Sequence, residues 1–140
     1  MNSAHRGSIA VLLLRLVAGV ALMFHGWGKI QNPFHWMDKA PAHPPGFLQA
    51  LAALSEFGGG LGLILGLLTP LCAIGILCTM AVAVYTHVSR GDPFVARGPG
   101  GSYELAVLFL TIALALLFTG PGRYSIDQKL LGGRRTNDYD

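Results

Sequence analysis

The chain has 140 residues, of which 52% are hydrophobic and 12% charged, and its formal net charge is +3. Soluble domains carry roughly 25% charged residues, so this composition excludes an ordinary water-exposed fold and points to one small domain, residues 1–140, held in a lipid bilayer. The basic residues are scattered, with no run beyond Arg134-Arg135, which speaks against a nucleic-acid partner.

Residues 1–8 are polar. An apolar run from Ile9 to Ile30 follows. At about 1.5 Å per residue it can cross a hydrocarbon layer of about 30 Å. It exceeds the roughly 7–15 residues of a secretory-signal core, so it reads as a retained span. Helical periodicity puts Arg15, His25 and Lys29 on one stripe with Gly19, Leu22 and Gly26, while Val17, Val20, Phe24 and Trp27 face the other way. A charge at mid-bilayer costs ~3 kcal/mol or more, so the remaining helices must cover this stripe.

Residues 31–46 carry several prolines and read as an interfacial loop, with Phe34, His35, Trp36 and Met37 at the headgroup level. A second span, 47–67, has Glu56 as its one charge, on a face with Gln49, Ala53, Gly59, Gly60 and Gly66. Leu68-Thr69-Pro70 is so short a turn that the third span, 71–88, must be an antiparallel neighbour. Cys72 and Cys78 lie about 240° apart around that span and cannot bridge, so they read as packing residues. His87 stands near its end. A Gly- and Pro-rich loop leads to the fourth span, 103–118, with Glu104 in its first turn; Gly120-Pro121-Gly122 stops it. Ser125 and Gln128 have capping-box spacing, which predicts a short helix through Leu131 on the surface, followed by a polar tail from Gly132.

The fold expected is all-α: a transmembrane four-helix up-down bundle with a short C-terminal surface helix. Four spans place both termini on one side, with Arg6, Arg123, Lys129, Arg134 and Arg135. The other side has Lys39, Arg90 and Arg97, plus Lys29 if it snorkels there. The positive-inside bias predicts cytoplasmic termini in a bacterial-type inner membrane.

Such a bundle brings His25, Lys29, His87 and Glu104, from three helices, to the end that carries the long loops. Glu56 lies about 14 Å below the start of the second span, and Arg15 about 22 Å below the end of the first. An extended Arg15 side chain could approach Glu56, so a buried charge pair between them is expected; it would serve helix register if nothing else. No HxxxH, ExxH or CxxCH spacing is present, and no Walker or dinucleotide motif, so neither a metal nor a haem site is expected.

The fragments RLxxGxxxxxHGxxK (15–29), ExxGGxxLxLGLLT (56–69), YELA (103–106) and GPGRYSID (120–127) follow one another in an order that resembles the DoxX family of four-helix membrane proteins. The resemblance covers nearly the whole chain. It singles out Arg15, His25, Gly26, Lys29, Glu56, Gly59, Gly66, Glu104, Gly120, Gly122, Ser125 and Asp127, without a catalytic assignment. It implies association with respiratory and redox systems, such as the small membrane subunit of thiosulfate:quinone oxidoreductase and assemblies in oxidative-stress defence.

On these grounds the expected function is a membrane redox component that binds a quinone at the loop end. Trp27 and Tyr103, with Phe24 and Tyr85, would offer ring surface. His25 and Lys29 would donate to a carbonyl, and Glu104 or Glu56 would relay protons. As a quinone-linked oxidoreductase subunit it would need a redox partner protein, and a homo-oligomer is left open. The competing readings are a scaffold or assembly subunit without a ligand of its own, and a small channel or transporter.

Overall fold

The structure is a computed structural model that describes residues 2–40 and 43–131. The expected polar tail from Gly132, with Arg134 and Arg135, lies outside the described residues. Five helices follow one another: α1 (Ser3–Ile30), α2 (Gly46–Leu65), α3 (Thr69–Ser89), α4 (Glu104–Thr119) and α5 (Ile126–Leu131). The Asn2 side chain accepts the His5 N–H and starts α1 well before the apolar run does. At 28 residues, about 42 Å, α1 overreaches a hydrocarbon core.

α1, α2 and α3 are each long and apolar enough to cross a membrane, and their outer faces keep large side chains such as Val17, Phe24, Leu71 and Val82 exposed. That is how a chain solvated by lipid distributes its apolar surface. The fourth helix agrees with the expected 103–118 to within one residue; its 16 residues, about 24 Å, make it shorter than α1, α2 and α3, and the Gly120-Pro121-Gly122 break ends it.

Successive helices pack side by side, and glycine decides how closely. A Cβ on Gly19 would lie 2.6 Å from the Gly60 carbonyl oxygen, and one on Gly26 would lie 2.6 Å from the Phe57 backbone nitrogen. The backbones of α1 and α2 thus touch directly, which only small residues permit. Ala73, Ile76 and Met80 of α3 meet Phe109, Ala113 and Leu116 of α4 in the apolar core. By contrast α1 and α4 scarcely touch. The up-down bundle is therefore open along one seam.

Candidate functional site

The buried polar groups fall into two clusters at opposite ends of the bundle. At the end near the N-terminus, Gly66 adopts φ +66° and a bond from the Leu67 N–H to the Gly62 carbonyl closes α2 in a Schellman turn. The Arg15 side chain, 1% exposed, completes this helix end. Its Nε donates to the Leu63 carbonyl at 2.8 Å and its Nη2 to the Ile64 carbonyl at 3.3 Å. Its Nη1 donates to the carbonyls of Pro121 and Tyr124 at 2.6 and 3.0 Å. Asp127 does the converse work for α3: its carboxylate accepts the Leu68 and Thr69 N–H groups, both at 2.8 Å. Leu68 holds φ +50° with no side-chain cap of its own, so α5 lends it one.

The expected Arg15–Glu56 pair is not formed. Arg15 turns to the carbonyls that a helix end leaves unpaired, because these lie at its own depth, whereas Glu56 sits nearer the loops and meets a different cation. The expected surface helix is likewise more than a surface element, since Ser125 and Asp127 are buried. The Gln128 N–H does bond the Ser125 hydroxyl, as the capping spacing predicts.

At the loop end, Lys29 reaches inward from the last turn of α1 and places Nζ 2.6 Å from both oxygens of Glu56, whose side chain is 4% exposed. Nζ also lies 4.6 Å from the centroid of the Trp36 ring, a cation–π contact. Residues 31–40 thus cover the pair, and Gln49 fastens them. Fully buried, it takes the Met37 N–H on Oε1 and donates from Nε2 to Asp38 Oδ1 and the Pro44 carbonyl, while its own carbonyl accepts the Trp36 indole N–H. The bonds from Gln49 and then His35 hold the Asp38 carboxyl below the usual carboxylate range.

Two clefts flank the Lys29–Glu56 pair and share Lys29, Glu56, Ala83 and His87 as walls. The larger, about 450 Å³, runs between α2 and α3 beneath Trp36 and Met37, past Leu51, Cys78 and Val82 to Arg90. The smaller, about 290 Å³, occupies the open seam and is completed by His25, Met80, Ser102, Leu105 and Phe109. The His25 ring stands edge-on to Phe109 with centroids 6.0 Å apart. His87 is held from the loop side: Nδ1 lies 2.7 Å from Asp92 Oδ2, and the Asp92 N–H returns to the His87 carbonyl. Gly101 packs here, where a Cβ would come within 2.7 Å of Asp92 Oδ2.

Three of the expected site residues, His25, Lys29 and His87, are thus brought together, and Glu56 joins them in place of Glu104. Glu104 starts α4, with its N–H on the Phe94 carbonyl, and lines neither cleft. Trp27 faces outward against Phe57, and Tyr103 packs on Phe94, so neither supplies ring surface to the clefts. Trp27 lies on the face that helical periodicity had already set opposite the His25–Lys29 stripe, and Tyr103 was placed by depth alone, which fixes height along the bundle but not direction around it. Sequence reasoning missed Asp92, whose signal was a lone carboxylate in the loop after His87, and it placed Gln49 on the Glu56 face without giving that lone buried amide a role. Among the described residues no three His, Cys, Asp or Glu side chains converge to hold a metal ion.

Comparison with known proteins finds a match to the DoxX family model over residues 10–89. The chain is 33% identical over 127 residues to "Inner membrane protein YqjF" of Escherichia coli K12, covering 87% of this chain and 92% of that protein. It is 32% identical over 119 residues to an uncharacterized protein of Haemophilus influenzae Rd, covering 83% and 87% respectively. No solved structure matches.

Proposed function

The chain belongs to the DoxX family of membrane proteins, and on that premise we propose that it is a redox-linked component of the bacterial inner membrane that binds a quinone head group in the seam cleft. One observation carries the reading. His25 and Lys29 of α1, Glu56 of α2 and His87 of α3 line a cavity of about 290 Å³ at the seam where α1 and α4 scarcely touch. Ionisable groups are kept out of bilayers unless they serve packing or function, and here they surround space instead of filling it. Phe109, Met80 and Leu105 give the cavity its apolar walls, and the seam gives a lipid-soluble ligand a lateral way in.

The matched relative is named an inner membrane protein, which agrees with this location. Termini on the cytoplasmic side, and a redox partner protein to exchange electrons with the ligand, complete the reading. The test is binding of decylubiquinone to the protein in nanodiscs, followed by titration calorimetry against empty nanodiscs. Wild type should bind, and His25→Phe and His87→Phe should each weaken binding about ten-fold, the value of one good hydrogen bond. Equal binding by all three, with unchanged melting, would remove the head-group site and leave a scaffold role.

A further inference from the structure

Which hydrogen-bonding roles the cleft leaves open decides which oxidation state of the ligand it fits. Lys29 has three N–H donors. Two are taken by the Glu56 oxygens, both at 2.6 Å, and Nζ faces the Trp36 ring at 4.6 Å. Little of its donor capacity remains for a quinone carbonyl. Glu56, ionised in this pair, only accepts. At His87 the partner of Nδ1 is a carboxylate, which can only accept, so Nδ1 carries the proton. The nitrogen left for the cleft is Nε2, and in the neutral ring it is an acceptor. His25 and the Ser102 hydroxyl, with no side-chain hydrogen bond of their own among the described residues, can adopt either role.

We infer that the seam cleft is built for the hydroxyl-bearing form of its ligand, a hydroquinone or similar phenol, because Asp92 holds the proton of the neutral His87 ring on Nδ1 and so leaves Nε2 an acceptor beside the Glu56 carboxylate. This rests on the reading of the cleft as a quinone site and adds its polarity. A hydroquinone O–H donates to His87 Nε2. The oxidised form puts a carbonyl oxygen against that same lone pair, and an unmet pair of acceptors costs more than a lost bond. Asp92 is then a positioning residue: it touches no ligand and acts through the His87 tautomer.

The experiment compares decylubiquinol with decylubiquinone, anaerobically, in nanodiscs containing wild type or Asp92→Asn. Nitrogen-15 spectra of the histidine rings are recorded on the ligand-free protein, His87 being assigned by its loss in His87→Gln. Asparagine keeps the size of Asp92 but can offer Nδ1 an N–H, which moves the ring proton to Nε2. Wild type should show a protonated Nδ1 and bind the quinol about ten-fold more tightly; Asp92→Asn should show a protonated Nε2 and lose or reverse that preference. A ligand-free wild type with Nε2 protonated overturns the inference without reference to any ligand. Both forms binding wild type equally overturns it while sparing the quinone site. Neither form binding overturns both.

Discussion

The two ends of this bundle hold comparable polar side chains and use them in opposite ways. At the terminal end Arg15 and Asp127 are spent on backbone: four carbonyls take the guanidinium and two N–H groups take the carboxylate. The packing around Gly66 is tight, and a Cβ there would run into the guanidinium itself. At the loop end Lys29, Glu56 and His87 are paired with one another or with a loop, and they border two cavities. A buried charge consumed by helix termini is a fastening, whereas a buried pair that faces empty volume is available to a ligand. Polarity alone does not separate the two; what stands on the free side of the charge does.

Removing Arg15 tests the fastening most severely. Arg15→Leu leaves several buried carbonyls without donors, each worth about 1–3 kcal/mol, so a loss of at least about 3 kcal/mol is expected in detergent unfolding. Because Arg15 and Glu56 do not meet, the double variant with Glu56→Gln should show additive losses, and a coupling above about 0.5 kcal/mol would restore the pair. Next comes Lys29→Met, which strands the Glu56 carboxylate and should cost about 3 kcal/mol. The double change Lys29→Met, Glu56→Met should recover most of it, since a buried pair exchanged for apolar residues is often neutral. A double variant as unstable as the sum of its parts would show that the pair is not what burial of Glu56 depends on.

Gly26→Ala probes the helix contact between the two ends. The new methyl meets the Phe57 backbone, which cannot swing aside, so α1 and α2 must part at a cost of about 1–3 kcal/mol. Gly28→Ala, where a Cβ meets nothing, is the matched control and should leave melting unchanged. The smallest effect concerns the cover over Lys29. Asp38 has its pKa depressed below the usual aspartate value by its bonds to Gln49 and His35. Its contribution is therefore complete above that value and is lost as pH falls through the lower folded one. Trp36 emission should shift modestly below about pH 4 in wild type, and Asp38→Asn should abolish the pH dependence of that shift.

Much of the fold was legible because bilayer physics restricts it. Long apolar runs broken by proline and glycine must be helices, and the short turn read at Leu68-Thr69-Pro70 must make α2 and α3 antiparallel. The stripe of Arg15, Gly19, Leu22 and Gly26 on α1, and that of Gln49, Ala53, Glu56, Gly59, Gly60 and Leu63 on α2, are the buried faces found. Of the site, His25, Lys29 and His87 followed from depth along the helices. Tyr103 and Glu104 line neither cleft, because depth leaves rotation around the bundle undecided; Trp27 lines neither because it stands on the opposite face, as its helical period requires.

Sequence by itself determined a membrane-embedded all-α chain, its helix order, and which faces of α1 and α2 are hidden, since period and hydropathy are local properties. Only the tertiary structure decided who pairs with whom. Arg15 and Lys29 stand on one stripe of one helix, and either could be assigned to Glu56; the choice falls to Lys29 because the end of α2 and the 120–127 segment converge on Arg15 and claim its donors. Asp92 meets His87 only through the path of a loop. Charge pairing depends on distances of a few ångströms between segments far apart in the chain, and no periodicity records those.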